Sequence, residues 1–206
     1  MSDQDALLAG YAAEALDLAP RFEALSSKTV LEPVLDHLPA APARIADIGA
    51  GSGRDAAWFA KAGYDVTAVE PVDEFIQYGQ AHHPATITWV QDQLPYLSRL
   101  TTTREQFDVV LVGSVWHHLD AEISSAALRV LAGLLHPTGI LVISLKVFSE
   151  HNSNVLDHLT VRGQAEQAGL HLRRFSRHTS HQDHNRLAGN MWDWMVFERM
   201  APEDAG

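Results

Sequence analysis

The chain has 206 residues, no cysteine, 46% hydrophobic and 20% charged residues, and a formal net charge of −11 from 15 basic and 26 acidic side chains. That length supports one domain with a sizeable core, and the acidic balance argues against nucleic acid, whose phosphates call for a basic face. Without thiols there are no disulfides or thiolate metal sites, and the cytoplasm is the default compartment.

The first ten residues, MSDQDALLAG, lack the basic and apolar regions of a secretory signal. Residues 3–38 predict two helices broken near Pro20, with apolar Leu16, Leu18, Phe22 and Leu25, then Val30, Leu31, Val34 and Leu35. From there strand-length apolar runs alternate with helix-like stretches. Strands are expected at 43–48, 65–69, 86–91, 107–112 and 139–145, and helices at 54–62, 72–82 and 120–135. Asp120 is the N-cap of the last helix, and Gly63 and the HPTG stretch at 136–139 read as helix stops. Several strands are near-continuous in Val, Ile and Leu, as strands buried on both faces of a parallel sheet must be. The longest runs, FDVVLVG and GILVISL, are too short to span a bilayer. A helix from about 153 to 168 follows, then strands at 171–177 and 191–199 joined by a polar, hairpin-like connection. The tail 201–206 is expected to be disordered.

The alternation predicts an α/β fold with a doubly wound sheet. Its first turn, DIGAGSG, places Gly49, Gly51 and Gly53 between a buried strand and a helix. Glycines allow a sharp turn and leave backbone amides open at the helix N-terminus, where a polar ligand fragment can sit. Glu70 ends the next strand, where an acidic side chain can accept bonds from both hydroxyls of a ribose. The constellation points to a nucleoside-containing cofactor. The dinucleotide fingerprint is G-x-G-x-x-G, whereas here the third glycine comes one place early and Arg54 follows it.

At these residues the sequence resembles the class I S-adenosylmethionine-dependent methyltransferases, whose first motif matches at Asp47, Gly49, Gly51 and Gly53. VTAVEP, WVQDQLPYL, FDVVLVGSVWHHL and LRVLAGLLHPTGILVIS are similar to the later motifs, in order, over residues 44–145. GRDAAWFAKAGYDVTAVEP is close to small-molecule branches, of the methyltransferase type 11/12 or tellurite-resistance-like kind. The resemblance implies a seven-stranded, mostly parallel Rossmann-like sheet with an antiparallel C-terminal hairpin. Residues 1–38 would be a helical cover and 39–200 the cofactor-binding domain. It also implies S-adenosylmethionine as cofactor, held by Asp47, Gly49, Ala50, Gly51 and Gly53 of the turn, Glu70 and Pro71 at the ribose, Asp92, Gln93 and Leu94 at the adenine, and Ser114 beneath the methyl group.

Methyl transfer from a sulfonium is an in-line displacement that asks the protein mainly for position and desolvation, with a base where the acceptor carries a proton. His117 and His118, just past the fourth strand, are the candidate bases, with packing or capping as the plainer alternative. Tyr11, Phe22, Trp116 and Phe148 are candidate substrate walls or core residues, and Trp192 is a further possible wall. Only the first 38 residues and the 146–153 connection are expected to cover the strand ends, which suits a compact, small-molecule acceptor. His178, His181 and His184 are spaced three apart, but without the tighter helical spacing they read as a solvated loop, and no metal is assigned. Two other readings share the sheet: a binding protein without catalysis, and a nicotinamide-dependent oxidoreductase. No nucleic-acid or membrane partner is expected, and the apolar residues of the hairpin fit a homodimer edge or a monomer's own sheet.

Overall fold

The computed structural model describes residues 3–148 and 156–200. The expected disordered tail at 201–206 and the start of the expected helix at 153 lie outside them. Seven strands form one sheet in the order β3-β2-β1-β4-β5-β7-β6. They are β1 (Arg44–Ile48), β2 (Asp65–Val69), β3 (Thr88–Val90), β4 (Phe107–Val112), β5 (Leu135–Val147), β6 (Leu170–Thr179) and β7 (Met191–Arg199). β1 to β5 run parallel, and β7 lies antiparallel between β5 and β6. This is the doubly wound α/β sheet that the alternation of apolar runs predicts, with the antiparallel end that the resemblance implies. Its central strands are buried on both faces: Ile45, Ala46, Val109, Val110, Leu141 and Val142 are all inaccessible to solvent.

The helices are α1 (Asp3–Glu23), α2 (Ser27–Val30), α3 (Arg54–Lys61), α4 (Asp73–His82), α5 (Ser98–Thr102), α6 (Ala121–Leu134), α7 (His158–Gln167) and α8 (Asp183–Leu187), with 3-10 turns at Glu32–His37 and Trp116–His118. Leu128 and Leu131 of α6 and Val161 of α7 pack with Phe107, Met195 and Phe197 on one face of the sheet. Leu31, Val34 and Phe59 pack with Ile45, Val142 and Val196 on the other. Val196 and Phe197 therefore serve the sheet's own two faces. Asp120 caps α6 as expected, its carboxylate accepting the Ile123 N–H at 2.8 Å.

Three local expectations are corrected. α1 runs unbroken through Pro20. The bond that proline cannot make would have gone to the carbonyl of Leu16, an exposed residue, while Ala15 and Ala19 are fully packed against Val72 and Phe75 and hold the helix on course. HPTG is not the helix stop. α6 gives way directly to β5 at Leu135, which pairs with Phe107, and the next pair is Ile140 with Val109, so residues 136–139 bulge out of the ladder opposite Asp108. The polar connection between β6 and β7 carries a short helix, α8, rather than an open loop.

Candidate functional site

The order β3-β2-β1-β4 reverses direction between β1 and β4, and at such a switch point the loops leave opposite ways and open a crevice beyond the carboxyl ends of the strands. A cavity of about 410 Å³ occupies that place, a size suited to small ligands. Of the residues nominated by the sequence, Tyr11, Phe22, Asp47, Gly49, Ala50, Gly51, Glu70, Pro71, Asp92, Gln93, Leu94, Ser114, His117 and His118 line it. Gly53, Trp116 and Phe148 are not among its lining residues.

Each of these placements has a packing cause. Gly53 begins α3 with φ of 85°, and an added Cβ would lie 2.7 Å from the Trp89 ring, so its glycine serves internal packing. Trp89 also presses on Gly79 of α4, where a Cβ would come within 2.2 Å. Trp116 is fully buried in the core beneath the site. Phe148 stands beside the wall, its ring 6.3 Å from that of His117 and 4.8 Å from Lys146 Nζ.

The glycine turn differs from the expected open-amide cradle. Gly49 and Ala50 donate to the Val69 carbonyl at 2.8 and 3.0 Å, Gly51 donates to Glu70 Oε2 at 2.8 Å, and Gly53 donates to the Ala50 carbonyl. The turn has spent these donors internally. What remains facing the cavity is acceptor-rich: Asp47, only 4% exposed, with Oδ2 lacking any hydrogen-bond partner, and Glu70, whose two oxygens each hold one backbone N–H and keep further lone pairs. Burial, with the negative charges of Asp55 and Glu70, drives the Asp47 carboxyl well above the ordinary carboxylate range, against the pull of Arg54. Glu70 is raised to about 6 by burial despite its two N–H bonds. Gly49 is confined differently: with φ of 74°, an added Cβ would lie 2.3 Å from Val115. Gly51, with φ of 56°, has only the Phe22 ring nearby, at 3.7 Å from an added Cβ.

Asp92 is engaged more heavily than expected. Its carboxylate accepts from the N–H groups of Gln93 at 2.9 Å, Arg99 at 2.7 Å and Leu100 at 3.0 Å, organising the start of α5. Oδ1 holds a single bond and retains capacity for another. Across the cavity, the Tyr11 hydroxyl and His118 Nε2 share a hydrogen bond of 3.1 Å. Burial lowers the pKa of His117 to about 3, with Lys146 and His118 adding, and burial followed by Lys146 lowers that of His118. In both rings burial disfavours the charged form, and Nδ1 of His117 has no partner.

Other contributors carry no motif. Ser52 of the turn donates to Glu23 Oε1 at 2.6 Å, the oxygen that also meets His83 Nε2 at 3.1 Å, so the end of α1 is fastened to the turn and to α4. Arg54 forms a two-bond ion pair with Asp55, at 2.8 and 2.7 Å. His178, Thr179, Ser180, His181, Gln182 and Asn185, from the β6–β7 connection, also line the cavity, which corrects the expectation that only the first 38 residues and the 146–153 connection cover it. Of the latter, residues 149–155 lie outside the described ones. Lys146, Trp192 and Trp194 are also among the lining residues. A lone lysine closing the apolar run ILVISLK was the available signal for the first of these. No cluster of three or more His, Asp or Glu among the described residues is arranged to hold a metal ion. None of the described helices is long and apolar enough to cross a membrane.

Residues 46–143 match the methyltransferase domain family. Uncharacterized methyltransferases of Mycobacterium tuberculosis and Mycobacterium bovis are 33% identical over 102 residues, which is 50% of this chain and 39% of each relative, so the match takes in less than half of their length. The fold is shared with a TehB-like S-adenosylmethionine-dependent methyltransferase of Corynebacterium glutamicum, with a TM-score of 0.68 and 21% identity over 91% of this chain and 98% of that one. It is shared also with the 1,6-didemethyltoxoflavin-N1-methyltransferase of Burkholderia thailandensis, solved with its acceptor and S-adenosylhomocysteine, with a TM-score of 0.72 and 20% identity over 95% of this chain and 88% of that one. Just under half of the chain thus matches a methyltransferase domain, and the chain shares its fold with S-adenosylmethionine-dependent methyltransferases.

Proposed function

We propose that this protein transfers a methyl group from S-adenosylmethionine to a small-molecule acceptor by in-line displacement. One observation carries the reading: a turn whose glycine amides are spent internally, beside two buried carboxyl groups, one with an unpartnered oxygen. Such a cradle repels a pyrophosphate, which needs donors, and attracts a ligand that brings its own cations and hydroxyls. That chemistry fits an amino acid sulfonium joined to a ribose, and disfavours a nicotinamide dinucleotide. When bound, S-adenosylmethionine supplies a methyl carbon activated by its positive sulfur.

The chain's own groups then position and dry the reaction. Asp47 accepts from the ammonium group, and Glu70 uses its remaining lone pairs on the ribose hydroxyls. Pro71, Gln93 and Leu94 enclose the adenine, with Asp92 Oδ1 as acceptor for its amino group. Ser114 lines the cavity beyond β4, its N–H fixed on Ser144 Oγ at 2.8 Å. α1 closes the top, Tyr11 being tied to His118. With burial disfavouring the charged form of both imidazoles, His118 orients Tyr11, and His117 accepts a hydrogen bond more readily than a proton. Exclusion of water and alignment of acceptor and methyl group are the main sources of rate.

Calorimetric titration with S-adenosylmethionine and S-adenosylhomocysteine, alongside NADH, tests the reading. Micromolar binding of the two adenosyl compounds, weakened about tenfold or more by Glu70→Ala, is expected from loss of a charge-assisted pair of hydrogen bonds. Absence of binding by either compound sinks the proposal. Binding without conversion of donor to product, tried with extracts as acceptor source, would favour the non-catalytic reading.

A further inference from the structure

The cavity is divided by charge. Its carboxylates, Asp47, Asp55, Glu70 and Asp92, all stand over β1, β2 and β3 or at the start of α3. The half over β4, β5, β7 and β6 is lined by Lys146, His117, His118, His178 and His181 with no carboxylate among its described lining residues. In a chain of net charge −11, a half whose described lining residues include no carboxylate runs against the average.

Strand register builds this half. Lys146 on β5 pairs with Trp192 on β7, and Trp192 pairs with His178 on β6. Directly opposed residues of antiparallel strands share a face, so an ammonium, an indole and an imidazole stand side by side, and all three line the cavity. Trp192 is held in place by its Nε1–H bond to Ser180 Oγ at 3.3 Å, and by the His117 ring, edge to face at 5.7 Å. Among the described residues, the Lys146 ammonium meets the Phe148 ring at 4.8 Å and forms no ion pair. An unpaired ammonium beside an ordered indole is a recognition site for a planar group carrying negative charge.

We infer that the methyl acceptor is a planar aromatic anion, its negative charge paired with Lys146 and its ring laid against Trp192. This inference rests on the methyltransferase reading for the word acceptor, but the binding preference stands on the basic half alone. An acceptor that arrives as an anion also suits a site whose imidazoles burial makes weaker bases.

The test uses 2-naphthoate as the anionic probe and 2-naphthamide as its neutral counterpart, titrated calorimetrically into the full chain with and without saturating S-adenosylhomocysteine. Naphthoate is expected to bind at least about tenfold more tightly than the amide, the measure of one charge-assisted hydrogen bond. Lys146→Gln should remove that preference while leaving S-adenosylhomocysteine affinity unchanged, which certifies the variant's fold, and Lys146→Arg should keep it. Trp192→Ala should weaken both probes together and leave their ratio intact. Equal binding of the two probes, binding of neither, or a preference that survives Lys146→Gln overturns the inference. Failure of the wild-type protein to bind S-adenosylhomocysteine is read separately and counts against the cofactor reading, whatever the naphthoate titration gives.

Discussion

The Glu70 carboxyl accepts N–H bonds from Gly51 and Val72, yet burial raises its pKa from 4.5 to about 6. Between those values the unfolded chain has released a proton that the folded chain keeps, so the folded state loses ground as pH rises through the window. The stability contribution is present below about 4.5 and is gone above about 6. Glu70→Gln has no such proton, so its stability relative to wild type should climb by about 2 kcal/mol between pH 4 and pH 7, the shift being converted at 1.36 kcal/mol per pKa unit. Urea titrations of both proteins across that range measure it, and a pH-independent difference would refute it. Taking the difference cancels the buried His117, whose lowered pKa acts in the opposite direction. The same ionisation that costs the empty fold would favour a ligand bearing cations and hydroxyls, so a site that is costly to build is also one ready to bind.

At the scale of the element, α1 is the piece whose attachment matters most to the cavity. Gln4 Nε2 donates to the Leu94 carbonyl at 3.1 Å, Tyr11 meets His118, and Glu23 takes the Ser52 hydroxyl and the His83 ring, so one helix touches the ends of β1, β3 and β4 and of α4. Glu23→Gln removes the charge from the last of these links. Amides of α1 should then exchange with deuterium about tenfold faster, as expected for loss of one charge-assisted hydrogen bond, while those of β4 and β5 keep their protection. Unchanged exchange in α1 would show that apolar packing of Ala15 and Ala19 on Phe75 is sufficient alone. Sequence pattern revealed that residues 3–38 are helical but placed a break at Pro20, because local propensity carries no information about what the helix leans on. α8 was missed for a related reason. Five residues of polar composition have no periodicity to read, and the segment is held by contacts such as Asn185 to Gln182 at 2.5 Å.

At the scale of the molecule, the antiparallel end of the sheet sets the basic half of the cavity in register and is itself locked from behind. Asp193, between Trp192 and Trp194 on β7, is fully buried and pairs with Arg177 of β6 through two bonds of 2.5 and 2.7 Å, with His158 of α7 at 3.3 Å. Arg177→Leu would leave the carboxylate short of its main partner. Because Arg177 is itself half exposed, the expected loss is about 2–3 kcal/mol, below that of a wholly buried pair. Urea denaturation at pH 7 measures it, and a loss under about 0.5 kcal/mol, the scale of an ordinary surface substitution, would show that the pair adds no net stability.

The amino-acid sequence by itself determined the α/β class, the succession of strands along the chain and the place of the glycine turn. These depend on hydrophobic period and on the few residues that tolerate tight turns, both of which are local. It also carried the resemblance to S-adenosylmethionine-dependent methyltransferases, through Asp47, the three glycines and Glu70 in order. Tertiary structure alone decided that the turn spends its amides on Val69 and Glu70, that Gly53 and Gly79 make room for Trp89, that Trp116 is core, and that Lys146, Trp192 and His178 meet across three strands. Each of these is set by a partner distant in the chain. Strand register and side-chain packing choose that partner, and no pattern within either segment specifies it.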